Sequence, residues 1–286
     1  MKHMRATIGL LMGLLPGACY SESIFATAGP IAESERIILF DSVAIMLAIV
    51  VPTLLAIAGF AWWFRAGNTR AVHLPKWSYS GQVELLVWSV PALVVMFLGG
   101  IAWIGAHDVD PAKPLDSKIA PLEVEIVSLD WRWLFIYPQQ HIASINRLVA
   151  PVGVPIHARI TSASVMNVFF IPRIASEIYG MNGMATEMNF AADKAGTYPG
   201  LSAHFSGDGF SDMAFNFDAV SPAQFSAWIA KAHTSGTPLD DTAYRKLLPQ
   251  SHDTTATTYR DVRPGLFDAI VMQTLPPGAG PEAGSH

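Results

Sequence analysis

The segment from Gly200 to Met213, G-L-S-A-H-F-S-G-D-G-F-S-D-M, gathers hydroxyl, imidazole, carboxylate and thioether groups in one short loop. Ser202 and Ser206 stand four residues apart, and Phe210 and Met213 follow at offsets of eight and eleven from Ser202. Copper takes soft sulfur ligands and imidazole nitrogen, and this loop has no cysteine. Serine hydroxyls, which ionise far above neutral pH, do not replace thiolates. One His and one Met also fall short of a mononuclear blue-copper site, which requires a cysteine. The loop's own side chains offer too few ligands for copper.

Other chemistry is sparse. The single cysteine, Cys19, excludes an internal disulfide framework and any Cys-rich metal or cluster site. Haem iron in membrane proteins is held by side chains such as His, and neither long apolar run in this chain contains one; His107 follows the second run. Redox centres, if the chain serves electron transfer, therefore belong to a partner. Glu84 stands alone at the head of the second apolar run, where a helix N-terminal dipole favours a carboxylate. Trp131, Trp133, Phe135 and Tyr137 alternate in W-R-W-L-F-I-Y-P and so share one face of a strand, with Arg132 on the other.

The elements that must hold these groups follow from composition and periodicity. The chain is 51% hydrophobic and 14% charged, against about a quarter charged in ordinary soluble domains. A net charge of -5 and the lack of a Lys/Arg cluster exclude nucleic acid as a partner. Residues 1–19 have the layout of an export signal: Lys2 and Arg5, an apolar run from Ile8 to Leu15, then small residues before Cys19. Residues 20–36 form an exported N-terminal segment. The runs 37–64 and 83–105 are each long enough to cross about 30 Å of hydrocarbon as a helix. Pro52 and Pro91 are tolerable there when neighbours re-satisfy the freed carbonyls. Trp62, Trp63 and Trp103 are placed as interfacial anchors.

The connection 65–82 carries Arg65, Arg70 and Lys76 and no acid, which assigns it to the cytoplasm. Both termini then face the exported side of a bacterial inner membrane. After a linker, 106–121, the pattern changes to period two with interspersed Pro and Gly over 122–220, which predicts an antiparallel sandwich of one compact domain. Ser221 is a candidate N-cap for a helix carrying Phe225, Trp228, Ile229 and Ala232 on one face, opening a helical extension over 221–262. The stretch 263–286 ends rich in Pro, Gly and Ala and is expected to remain disordered.

Read together, these segments resemble subunit II of the haem-copper oxidases. The carriers of the likeness are S-V-M-N-V-F-F-I-P at 164–172, the loop at 200–213 and V-E-L-L-V-W-S-V-P at 83–91. Aligned on Pro172, Asn167 stands where that family's copper-bound oxidases place a His. Aligned on Met213, Ser202 and Ser206 replace the bridging thiolates, Phe210 replaces a second His, and His204 takes a position served by a backbone carbonyl. The set resembles the branch that lacks the dicopper ligands, subunit II of the cytochrome bo-type ubiquinol oxidases. The N-terminal segment resembles a lipoprotein signal with Cys19 as the acylated residue, except that Pro16 stands where Leu is usual.

The resemblance implies two transmembrane helices, a cupredoxin-like sandwich without copper, and a short C-terminal helical extension. It implies a non-redox subunit of a proton-pumping complex that oxidises ubiquinol and reduces oxygen to water. Subunit I would hold the haems, the copper and the quinol site. This chain would bind no cofactor, with Glu84 at the proton entrance and the aromatic stripe, Trp131 and Trp133 included, serving as core plus docking surface rather than as an electron path. Further small membrane subunits and the lipid bilayer complete the implied partners. Two other readings stay open here: an electron-entry subunit II of a cytochrome c oxidase, and a membrane-tethered exported binding or assembly lipoprotein.

Overall fold

The computed structural model describes residues 25–72, 74–278 and 280. Cys19 and the signal-like segment lie outside the described residues. The chain forms two compact units, one over Glu33–Lys113 and one made of the residues up to Ala32 together with Pro114 onward.

The first unit carries the long helices α1, Pro30–Trp63, and α2, Gly81–Asp108. At 34 and 28 residues they run to about 50 and 42 Å, more than the roughly 30 Å of hydrocarbon. Both are long and apolar enough to cross a membrane, and their most apolar windows are wholly unburied within the chain. α1 begins before the apolar run at Ile37. Pro30 suits the first turn of a helix, and Glu33 and the ion-paired Arg36 extend it on polar residues that hydropathy does not mark. Where the helices touch, Ile38 lies against Gly105, and a Cβ on Gly105 would meet the Ile38 side chain at 2.8 Å.

The second unit is a two-sheet sandwich. The larger sheet takes β1 (Leu122–Ser128), β2 (Trp133–Tyr137), β3 (Ile142–Ile145), β5 (Ile156–Ser162) and β8 (Thr186–Phe190). The smaller takes β4 (Arg147–Pro151), β6 (Asn167–Ile171), β7 (Ala175–Gly180), β9 (Gly196–Ser202) and β10 (Ala214–Val220). Most neighbours are antiparallel, as expected, but β1 with β5 and β4 with β10 run parallel. The cause is the chain path: it leaves the larger sheet at β3, crosses to the smaller as β4, and returns as β5.

The aromatic stripe fills the space between the sheets. Trp133 and Phe135 meet Phe169 and Phe215, with Trp133 5.4 Å from Phe169 and Phe135 5.2 Å from Phe215. Tyr137 donates to the Val149 carbonyl at 2.9 Å and accepts from the Val149 amide at 2.8 Å. Alternate residues of the same strand, Leu134 and Ile136, face a second core on the other side of the larger sheet. β2 is therefore buried on both faces, which is why it reads as an unbroken apolar run.

The C-terminal segments build that second core. Helix α3 (Pro222–Ser235) starts in a capping box formed by Ser221 and Gln224, but buries Phe225 and Ala232 in the core that holds the aromatic stripe, with Phe225 beside Tyr137. Beyond it the chain is not only helical. β11 (Thr237–Pro238) and β12 (Thr257–Arg260) join the larger sheet at β3, flanking the short α4 (Asp241–Arg245). The disorder expected over 263–286 is corrected for its first part. Helix α5 (Leu266–Val271) buries Leu266, Phe267 and Ile270, and Leu275 packs beside them. Those four side chains supply the apolar surface that the Pro- and Gly-rich composition concealed.

Candidate functional site

The loop after β9 and the start of β6 meet at one end of the sandwich. β6 and β9 pair with Phe169 opposite Ser202, so Asn167 projects from the end of β6 beside the loop. The loop is closed by its own backbone: the Ser202 amide donates to the Met213 carbonyl, and the Met213 amide to the Phe210 carbonyl, both at 3.1 Å. A 3-10 turn over Phe210–Asp212 completes it.

Four of the five positions picked from the sequence are buried, Asn167, Ser202, Ser206 and Met213, and Ser202 bonds to both Asn167 and the Met213 backbone. The Ser202 hydroxyl donates to Asn167 Oδ1 at 3.0 Å, and Asn167 Nδ2 donates to Ser128 Oγ and to the Val165 carbonyl, each at 3.3 Å. The Ser206 carbonyl accepts from the Trp131 indole at 3.0 Å, while the Ser206 hydroxyl is buried without a partner among the described residues. Phe210 is half-buried, with its ring 5.7 Å from that of Phe205, which is 73% exposed. His204 turns to the Tyr179 ring at 6.2 Å.

These residues do not fit a thiolate-bridged copper pair. The positions supply an amide, two hydroxyls, a phenyl ring and one thioether, and the Ser202 hydroxyl is already bonded to the Asn167 amide. No group of three or more His, Cys, Asp or Glu close enough to hold a metal ion occurs among the described residues.

Of the core and docking parts expected of Trp131 and Trp133, the structure shows the core part. Trp133 is 0% exposed and Trp131 4%, so neither presents a surface to another protein. Gly209 sits on the Trp131 ring so closely that a Cβ there would fall 2.2 Å from it. His252 covers the ring at 5.1 Å and pairs with Asp212 at 3.0 Å.

Sequence reading passed over Asp130, which is buried at this same end. Its carboxylate accepts from the Ser164 hydroxyl and, at 2.9 Å, from the Gly280 amide, and its carbonyl accepts from the Ser251 amide at 3.1 Å. The available signal was an acid inside the apolar run L-D-W-R-W. Glu84 belongs to the other unit. It is exposed in the first turn of α2, and its amide donates to the Ser80 carbonyl at 3.0 Å.

A family model described as the COX Aromatic Rich Motif matches residues 233–278, the part of the chain that builds the second core. The ubiquinol oxidase subunit 2 of Acetobacter aceti is 44% identical over 267 residues, covering 93% of this chain and 86% of that one. The chain belongs to the ubiquinol oxidase subunit 2 family. The cytochrome bo(3) ubiquinol oxidase subunit 2 of Pseudomonas aeruginosa is 39% identical, covering 93% of this chain and 80% of its own length. Among solved structures, the periplasmic domain of subunit II of cytochrome oxidase from Bradyrhizobium japonicum is similar over 46% of this chain and 99% of that one. Its identity is 22% and its TM-score 0.38.

Proposed function

We propose that this chain is the non-redox second subunit of a proton-pumping ubiquinol oxidase, which converts ubiquinol and oxygen to ubiquinone and water. The observation that carries the reading is the Ser202 to Asn167 hydrogen bond at 3.0 Å, in a member of a family whose relatives are named for quinol oxidation. A sandwich in which Ser202 and Asn167, two of the would-be ligand positions, bond to each other has no copper centre through which a soluble cytochrome could deliver electrons. Electrons then enter through a membrane quinol at the haem-copper subunit I, which holds the haems and the copper, while this chain binds no cofactor.

In this reading α1 and α2 cross the inner membrane, the sandwich and both termini lie on the periplasmic side, and Cys19 is acylated after export. The positive charges of the α1–α2 connection support that orientation. Glu84, in the first turn of α2, then stands on the side from which protons are taken up and contributes to their entry. The long apolar helices, unburied within the chain, support docking on subunit I and further small membrane subunits.

The test is a choice of electron donor. Membrane complexes isolated through a tag on this chain should consume oxygen with ubiquinol and not with reduced cytochrome c, and should show no near-infrared dicopper band. Turnover with cytochrome c, or such a band, refutes the reading.

A further inference from the structure

We propose that the connection between α1 and α2 is a binding site for an anionic phospholipid. The segment folds around an open cavity of about 640 Å³ lined by Phe64, Arg65, Asn68, Val72, Leu74 and Trp77, among others. It has two chemical characters side by side. Arg65 lines it, Arg70 and Lys76 belong to the same connection in the sequence, and no acid occurs between Arg65 and Val83. Among the described residues none of these three cations makes an ion pair with a carboxylate.

The apolar character is as marked. Val72 is 70% exposed, Leu74 65%, Trp77 62% and Tyr79 68%. Such side chains in a loop are costly in water and favourable at a headgroup boundary, where Trp and Tyr concentrate. Trp62 and Trp63 at the end of α1 lie directly before the cavity and mark the level at which a spanning helix leaves hydrocarbon.

The carbonyl end of a helix repels an anion. Arg65 reverses that locally: its guanidinium donates to the Trp62 carbonyl at 2.7 Å and lies 4.8 Å from the Trp62 ring. Asn68 Nδ2 donates to the Trp63 carbonyl at 2.5 Å, occupying a second carbonyl of the last turn. The cation is thereby held at the rim of the cavity. A free phosphate would satisfy Arg65, Arg70 and Lys76 and leave Val72, Leu74 and Trp77 wet; a zwitterionic lipid would cover the apolar groups and leave net charge unmatched. An anionic phospholipid does both.

The inference rests on the proposal that α1 and α2 span a membrane. The test uses the full chain isolated from its own membranes in mild detergent with whatever subunits accompany it, then stripped of lipid and titrated with phosphatidylglycerol or phosphatidylcholine under native mass spectrometry. Phosphatidylglycerol should be retained in preference to phosphatidylcholine. A cation near an anionic surface is worth about fivefold in affinity, so Arg65→Gln with Arg70→Gln and Lys76→Gln should lower retention at least tenfold. Trp77→Ala, which changes no charge, should also lower it, whereas Lys231→Gln in the sandwich unit should not. Equal retention of the two lipids, undiminished retention in the triple variant, or displacement of the lipid by millimolar inorganic phosphate overturns the proposal. So does loss of a protein subunit from the triple variant with lipid retention intact, which would make the loop a protein docking surface. Haem content of the same sample reads the oxidase assignment separately: a colourless chain that retains phosphatidylglycerol refutes the functional reading and leaves the lipid site standing.

Discussion

The Ser202 hydroxyl donates to Asn167 Oδ1 at 3.0 Å, and the two residues, on different strands of the smaller sheet, are both buried. Removing either partner strands the other away from water, a cost of about 1–3 kcal/mol for a buried unpaired polar group. Ser202→Ala should therefore lower the melting temperature of the purified protein by several degrees. An unchanged melt would mean that Asn167 finds another donor and that the pair does not hold the loop.

Gly209 tests how closely the loop is seated. Gly209→Ala places a methyl group where the Trp131 ring stands, 2.2 Å from it. Overpacking of this kind costs about 1–3 kcal/mol. The variant should melt earlier and show a shifted tryptophan emission as Trp131 moves from its contact with the Ser206 carbonyl. Gly153, at φ 74 with nothing near its absent Cβ, is the contrasting site. Gly153→Ala should destabilise through backbone strain alone and leave the emission unchanged.

Two buried phenols set an alkaline limit. Burial pushes the ionisation of both Tyr137 and Tyr244 well above the ordinary phenol value of 10.0. A group whose folded value is raised contributes stability that is complete below the unfolded value and lost as pH climbs toward the folded one. Stability should thus hold through neutral pH and decline above about pH 10, by roughly 1.4 kcal/mol per pH unit for each phenol. Tyr244→Phe should remove one phenol's share of that slope in denaturant titrations from pH 9 to 12; an unchanged slope would assign the alkaline limit elsewhere.

Glu84 is the one residue given a part in turnover. Glu84→Ala in the assembled complex should slow ubiquinol-driven oxygen consumption at least tenfold with haem content unchanged. Glu84→Asp should restore part of the rate. Wild-type turnover in the alanine variant would return Glu84 to a favourable charge at a helix N-terminus.

The sandwich was legible in the sequence where one face is buried. Period-two alternation marks Ile156, Ala158 and Ile160 of β5, whose intervening His157 and Arg159 pair with Glu123 and Glu125 of β1. β2 was legible on one face only. The aromatic alternation of Trp133, Phe135 and Tyr137 was visible, but Leu134 and Ile136 bury against residues more than a hundred positions later, which no local pattern reveals. The extension hid its two strands for a similar reason. β11 and β12 are two and four residues long and exist because β3 offers an edge. At the site, the family resemblance picked out Asn167, Ser202, Ser206 and Met213, all of them buried, and the pairing of β6 with β9 brings the first two together. It did not reveal that Trp131 leaves the strand, at φ 79, to pack under Gly209, and it missed Asp130, whose partners at 164, 251 and 280 are distant in sequence.

The proposed role in quinol oxidation places this chain in a haem-bearing complex. A tag on the chain, mild detergent and one purification from native membranes suffice to test it. The account predicts a coloured complex containing a larger haem-bearing membrane subunit that consumes oxygen when given ubiquinol. A chain that purifies alone and colourless, with no ubiquinol-driven oxygen uptake, contradicts it.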